Sequence, residues 1–193
     1  MAKSERGGSR SLPLALEMLT SDHRKVEDLF EKFEQMKEED DASRVAIAQK
    51  ICGELTVHMQ IEEDLLYPWL RENMDDTDMV AEAHVEHNSA KQLIGEIMKV
   101  GEPDEAYDAK VKVLSEYIKH HVQEEENEIF PEVRDQQEEL DELGQEMSAR
   151  KGELMEEMGL SEESSEEDEE NEDEDGGRGR GKSASRESTH RSR

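Results

Sequence analysis

The chain has 193 residues, of which 40% are charged and 32% are hydrophobic, and its formal net charge is −29. A surface this acidic argues against a folded domain that binds nucleic acid, because phosphate neutralisation needs clustered lysine and arginine. No apolar run approaches the roughly 18 residues of a membrane span, and a single cysteine, Cys52, excludes an internal disulfide framework. Composition therefore predicts a cytoplasmic protein in which Cys52 is a small buried side chain.

Helix-forming residues dominate the chain up to residue 160, and three turn signals divide that part. They are 37–43 (KEEDDAS), 72–78 (ENMDDTD) and 100–105 (VGEPDE), which are rich in residues that cap helices and make turns. Between them lie four segments with apolar residues at helical spacing. This pattern predicts an all-α protein, an antiparallel up-down-up-down four-helix bundle with an additional C-terminal helix at 137–159.

We expect four parts along the chain. Residues 1–10 form a flexible N-terminus, 11–135 the bundle, 136–160 a C-terminal helical extension and 161–193 a disordered tail. The tail begins with eleven acidic residues in fifteen positions and continues as a basic, Gly/Ser-rich stretch. Neither half of the tail can bury a core, and its protein partner and role are open.

Polar side chains interrupt the inward apolar stripes of all four helices. Burying an unpaired carboxylate or imidazole is costly, so such groups are usually paired or bound to metal. A single inward histidine is more often a hydrogen-bonded core residue than a ligand, but six such residues on four helices need a common cause. The six residues are His23, His58, Glu62, His87, His121 and Glu125.

The numbering predicts that the four histidines of this set lie at one height in the bundle. Residues equidistant from the centre of an antiparallel hairpin are level with each other. The midpoint in residue number between each of these four histidines and the next member of the set falls inside one of the three turn signals. The imidazoles are therefore expected to face one another in one layer, and we interpret this as a metal layer.

The chain also repeats itself. HMQIEEDLLYP (58–68) and HVQEEENEIFP (121–131) each place a Glu four residues after a His and a Pro ten residues after it, and DHRKVEDLF (22–30) matches EHNSAKQLI (86–94). Two pseudo-equivalent hairpins thus each supply three ligands, which suits a pair of metal ions. Imidazole and carboxylate suit iron, manganese or zinc. We expect iron, because such a dinuclear site supports oxygen and redox chemistry.

The remaining histidines have different expected roles. His84 is a further candidate ligand, because it lies on the third stripe one turn before His87, although the repeat aligns Thr20 with it. His120 points away from the inward stripe of its helix and is expected to flank the site. His190 lies in the tail and is expected to be solvated.

Residues 11–135 resemble the hemerythrin-like, HHE cation-binding domain, a four-helix bundle that holds a non-haem di-iron site. The matching motifs are DHRKVEDLF, HMQIEEDLLYP, VEHNSAKQLI and HHVQEEENEIFP, and LDELGQEMSARKGELM resembles the extension that follows this domain in bacterial members. The resemblance implies two iron ions bound by the six residues above. Hemerythrins have a third-helix histidine pair four residues apart and a fourth-helix aspartate. Here the spacing is three and the carboxylate is Glu125, which argues against simple reversible oxygen carriage.

The leading hypothesis is a cytoplasmic di-iron protein that binds or senses O2, NO or reactive oxygen species such as peroxide, or that handles iron. One alternative is a ferritin-like iron oxidase or store, although those bundles use Glu-x-x-His pairs where this chain has His-x-x-x-Glu. Another is a metal-free helical interaction module that works through its acidic tail, although unpaired inward His and Glu argue against it. The sequence offers no dedicated acid/base pair, so enzyme status stays open.

Overall fold

The computed structural model describes residues 11–37, 39–99, 103 and 106–160. The expected flexible N-terminus and disordered tail lie outside these ranges. In chain order the helices are α1 (Leu14–Gln35), α2 (Asp41–Ile61), α3 (Tyr67–Asn73), α4 (Asp78–Ile97), α5 (Tyr107–Glu124), α6 (Phe130–Val133) and α7 (Gln137–Glu157). Two π-helical turns, Glu62–Leu66 and Glu125–Ile129, join α2 to α3 and α5 to α6 without a break.

Four long helical units form the predicted bundle, namely α1, α2 with α3, α4, and α5 with α6. Helix α1 packs against α2 and α5, and α4 packs against the same two helices. Because short connections join consecutive units, neighbours run antiparallel. The all-α four-helix prediction is confirmed, and the additional C-terminal helix α7 packs against α1 and α2. Among the described residues, no helix is both long and apolar enough to span a membrane.

Local contacts explain where α1 and α2 begin and how α7 packs against α1. Asp40 caps α2, because its carboxylate accepts the Ser43 N–H at 3.0 Å. The carboxylate of Asp141 on α7 accepts a hydrogen bond from the Leu14 N–H at 2.8 Å. It thereby supplies a partner for the first backbone N–H of α1. Nearby, a Cβ added to Gly144 would lie 2.5 Å from a backbone atom of α1. Only glycine permits this close approach of α7 to α1.

The six inward-facing His and Glu residues named above form a polar layer that crosses the bundle between two apolar layers. Val26, Phe30, Leu55, Leu114 and Ile118 belong to the apolar layer on the side of the turn between α1 and α2. The other apolar layer includes Leu16, Leu19, Leu66, Leu70 and Val133, all fully buried. The polar layer between them therefore has little contact with bulk water, and electrostatic interactions there are strong.

The first π-helical turn shifts the inward stripe by one residue. Uninterrupted α-helical spacing predicts that Leu65 and Trp69 face the core, but both are half-buried. Leu66 and Leu70 are fully buried in their place. One extra residue in the turn rotates everything that follows by about 100°, which accounts for the difference.

Candidate metal centre

Two glutamates enter the core at the start of the two π-helical turns. The carbonyl of Glu62 accepts the N–H of Tyr67, and the carbonyl of Glu125 accepts the N–H of Phe130, each five residues on. A proline follows each aromatic residue. Because proline has no N–H and crowds the carbonyl four residues back, it favours a widened turn at this point. The repeated Pro therefore explains why the same turn occurs in both halves.

The Glu62 carboxylate lies between two of the predicted histidines. Nε2 of His58 is 3.3 Å from Oε1 of Glu62, and Nε2 of His87 is 3.4 Å from Oε2. Glu62 is completely buried. One carboxylate thus turns one oxygen towards each half of the bundle, which is a suitable arrangement for bridging two metal ions.

The Glu125 carboxylate faces the other two histidines. Its Oε2 lies 3.4 Å from Nε2 of His23 and 3.6 Å from Nε2 of His121. The Nε2 atoms of His87 and His121 are themselves 3.1 Å apart. All four imidazoles therefore present Nε2 to one buried centre. The structure brings the six predicted residues together, and we call them the buried cluster.

The ligand atoms of the buried cluster fall into two overlapping groups. Within each group, one nitrogen or oxygen atom per residue lies within 4.8 Å of the others. The first group is His23, His58, Glu62 and Glu125, and the second is Glu62, His87 and His121. Each hairpin contributes both of its histidines to one group, while Glu62 belongs to both groups.

Several atoms of the buried cluster have no hydrogen-bond partner within the described part of the chain. They are Nε2 of His23, both ring nitrogens of His58, both oxygens of Glu62 and Oε2 of Glu125. An unsatisfied buried polar group costs about 1–3 kcal/mol, and a cation satisfies imidazole and carboxylate lone pairs together. This donor set fits a divalent ion of the iron, manganese or zinc type.

The second ring nitrogen of each imidazole, Nδ1, faces a carboxylate outside the buried cluster. The four pairs, with their Nδ1–oxygen distances, are His23–Glu126 (2.9 Å), His87–Glu63 (3.0 Å), His121–Glu86 (3.0 Å) and His58–Asp22 (3.7 Å). A carboxylate in this position fixes the ring orientation and keeps Nε2 available for a metal ion. We call these four residues the outer carboxylates.

The outer carboxylates are site residues that the sequence analysis missed. Asp22 and Glu86 directly precede a histidine of the buried cluster, and Glu63 and Glu126 directly follow its two glutamates. The signal was therefore present in both repeats as an acidic residue beside four of the six predicted ligands, His23, Glu62, His87 and Glu125. In so acidic a chain, that signal becomes specific only when the two repeats are compared.

Tyr67 is another site residue that the sequence analysis missed. Its fully buried hydroxyl lies 3.1 Å from Nε2 of His87 and 3.3 Å from Oε1 of Glu125. Burial, reinforced by the charges of Glu62 and Glu125, raises the pKa of Tyr67 well above its ordinary value. The hydroxyl therefore stays protonated and acts as a hydrogen-bond donor at the centre.

The surroundings of the two buried glutamates shift their pKa values in opposite directions. Burial raises the pKa of Glu62 well above its ordinary value, and the nearby Glu125 charge raises it further. Burial also opposes ionisation of Glu125, but His121 and His23 hold the pKa of Glu125 below its ordinary value. A cation held by this cluster would favour the ionised form of Glu62.

The structure places His84 and His120 outside the buried cluster. The side chain of His84 is 47% exposed, with Nδ1 3.8 Å from Glu63, so the inward position expected for it is not observed. Its place three residues before His87 turns it about 60° from the direction of that side chain. His120 is 63% exposed, as expected for a flanking residue. His190 lies outside the described residues.

A groove of about 410 Å³ between α1 and α5 reaches the edge of the buried cluster at His23. A small internal cavity of about 10 Å³ shares Ile118 and Val122 with this groove and also borders His58. The two spaces have these side chains as common walls. Solvent in the groove therefore reaches the edge of His23 and is separated from His58 by one layer of side chains.

Comparison with known proteins agrees with this geometry. A crystal structure of a hemerythrin HHE cation binding domain-containing protein from Mycobacterium kansasii has a TM-score of 0.62 at 26% identity, covering 75% of this chain and 88% of that one. A protein named DNA nickase from Nostoc sp. (strain PCC 7120) is 26% identical over 145 residues, which are 74% of this chain and 40% of that protein. The family model that describes the hemerythrin HHE cation-binding domain matches residues 14–133 of this chain. Since this match spans the whole bundle and every residue of the buried cluster, the chain belongs to the hemerythrin HHE cation-binding domain family.

Proposed function

We propose that this chain is a non-haem di-iron protein that binds or senses O2, NO or reactive oxygen species, or that handles iron. The observation that carries the proposal is the position of Glu62, whose two oxygens face His58 and His87 at 3.3 and 3.4 Å. A carboxylate shared by two groups of ligand atoms suits two adjacent ions. Membership of a cation-binding family supports a metal at this position, and manganese and zinc are the alternatives to iron.

In this proposal one metal ion would be held by His23 and His58 and the other by His87 and His121, with Glu62 and Glu125 as the carboxylate ligands. Iron held by these residues would supply one-electron redox chemistry and bind a small ligand. The outer carboxylates keep every Nε2 directed inward, and Tyr67 donates a hydrogen bond into the centre. The apolar layers above and below exclude bulk water.

The route to the centre favours a small ligand. The groove between α1 and α5 stops at His23, Ile118 and Val122, and the space behind these side chains is only about 10 Å³. A space of this size favours a diatomic molecule or peroxide over a larger substrate. Whether the chain consumes peroxide as an enzyme is decided by a direct peroxide-decay assay on the iron-loaded protein.

Action on DNA is not proposed for this chain. The relative named DNA nickase is more than twice as long as the matched region, which covers 40% of it. A net charge of −29 also opposes contact with a phosphate backbone. A cytoplasmic location remains a proposal, supported by a single cysteine that is buried and free.

The decisive experiment is iron loading without oxygen. The full chain is incubated with Fe(II), freed of excess metal and analysed for iron, and its ultraviolet-visible spectrum is recorded under nitrogen and then under air. We expect two iron ions per chain and a spectral change on exposure to air. Parallel loading with Mn(II) and Zn(II) identifies the preferred metal. Saturation at one ion or none would sink the dinuclear proposal, and a spectrum indifferent to air would favour iron handling over ligand binding.

A further inference from the structure

Each outer carboxylate has a second oxygen that does not contact the imidazole it orients. At three of the four outer carboxylates, that oxygen contacts the side chain of a lysine or arginine. The three pairs are Asp22 with Lys151, Glu63 with Lys91, and Glu126 with Arg24. A permanent positive charge therefore lies behind three of the four imidazoles of the buried cluster.

Glu86 is the exception. Its Oε2 lies 3.0 Å from Nδ1 of His121 in the buried cluster, but its Oε1 lies 3.1 Å from Nδ1 of His120. Within the described ranges, Glu86 forms ion pairs with these two histidines and with no lysine or arginine. The second ring nitrogen of the same imidazole, Nε2 of His120, is 3.5 Å from Oε1 of Glu124. At Glu86, therefore, the imidazole of His120 occupies the position that a lysine or arginine side chain occupies at the other three outer carboxylates.

We propose that Glu86, His120 and Glu124 form a second, peripheral site for one divalent cation of the zinc type. One ligand atom from each of the three residues lies within 4.8 Å of the others. One imidazole nitrogen with two carboxylate oxygens is a donor set that Zn²⁺ accepts at about 2.0–2.2 Å. Binding would require the three side chains to rotate to that distance, with water completing the coordination.

Exposure and charge both favour this peripheral site. The side chains of Glu86, His120 and Glu124 are 28%, 63% and 38% exposed, so an ion from solution reaches them directly. A bound cation would contact Oε1 of Glu86 and supply the positive charge that lysine or arginine supplies at the other three outer carboxylates. The site is separate from the buried cluster but is linked to it through the two oxygens of Glu86.

His84 provides a matched control. It is also an exposed histidine beside an outer carboxylate, with Nδ1 3.8 Å from Oε1 of Glu63. However, Lys91 already contacts Glu63, and within the described residues His84 belongs to none of the three-residue groups able to hold a metal ion. The same substitution at His84 and His120 therefore separates a specific site from general attraction to an acidic surface.

The test is a zinc titration of the full chain with iron already in its centre, near neutral pH, in competition with a fluorescent zinc indicator. The wild-type chain is expected to bind one zinc ion more tightly than the remaining acidic surface does. His120→Asn and Glu124→Gln should each weaken that binding by at least about tenfold. His84→Asn should leave it unchanged, and circular dichroism should show the same helix content in all variants.

The outcome separates this site from the proposed function of the buried cluster. Iron is measured in the same samples, and zinc must not displace it. If the chain holds no iron, the di-iron proposal fails, but the comparison of His120→Asn with His84→Asn still decides the peripheral site. Equal zinc affinity in the wild type and His120→Asn, or an equal loss in His84→Asn, would overturn it.

Discussion

Tyr67 and Phe130 occupy equivalent positions at the ends of the two repeats, yet only Tyr67 brings a hydroxyl into the buried cluster. The ring of Tyr67 lies 5.3 Å from that of His87, and the ring of Phe130 stacks on His23 at 6.2 Å between centroids. Each aromatic ring therefore packs against the first histidine of the opposite half. The two halves are alike in shape here and differ in chemistry.

This difference leads to a prediction for Tyr67→Phe. The fold and the iron content should be retained, because Phe130 shows that phenylalanine fits the equivalent position. Loss of the buried hydroxyl should lower the free energy of unfolding by about 1 kcal/mol and change the visible spectrum of the iron-loaded protein under air. Thermal unfolding, iron analysis and absorption spectroscopy measure the three effects. An unchanged spectrum would exclude a role for the hydroxyl at the centre.

The second prediction concerns the histidines. His58→Ala and His87→Ala should each reduce bound iron to less than half, because each removes a nitrogen that faces Glu62. His84→Ala and His120→Ala should retain full iron, since both side chains lie outside the buried cluster. Helix content should persist in all four variants, because alanine favours helices. Iron loss in His84→Ala with retention in His87→Ala would contradict the site assigned on α4.

The third prediction concerns two outer carboxylates. Glu63→Gln and Glu126→Gln should weaken iron binding about 10–100-fold, because the neutral amide orients the imidazole Nδ1 less strongly. Competition with a chelator of known affinity measures the change. Glu132→Gln, an exposed substitution of equal charge change near Glu126, is the control and should behave as the wild type. Equal affinity in all three variants would show that the outer carboxylates do not support the centre.

The fourth prediction concerns residues 161–193. A chain ending at residue 160 should bind the same amount of iron and unfold at nearly the same temperature. The acidic and Gly/Ser-rich composition of the removed segment cannot supply a hydrophobic core. Iron analysis and thermal unfolding of the two chains provide the comparison, and loss of iron on truncation would show that the domain boundary is misplaced.

The fifth prediction concerns Cys52, which is 1% exposed. Burial raises the pKa of its thiol to about 12, and the thiolate is the reactive form. Native protein should therefore react negligibly with a thiol reagent at pH 8, while the unfolded chain should react with one equivalent. Rapid reaction of the native protein would indicate that the core around α2 opens readily.

Several features followed from the sequence because they depend on local periodicity. The apolar stripes and turn signals predicted four helices and a fifth, and the spacing of His23, His58, His87 and His121 predicted one polar layer. These inferences hold because helical rise and period are nearly constant, so chain position translates directly into height and direction. The duplicated motifs then identified Glu62 and Glu125 as partners of the imidazoles.

Other features were decided only by the tertiary structure, since they depend on rotations of one residue's step or less and on contacts between distant segments. The π-helical turn moved Leu66 inward in place of Leu65, and the orientation of α4 left His84 exposed. Pairing of Glu126 with His23 and approach of Tyr67 to Glu125 join residues from opposite halves of the chain. Helical periodicity indicates which side of a helix faces inward, but only the packed bundle determines which atoms meet there.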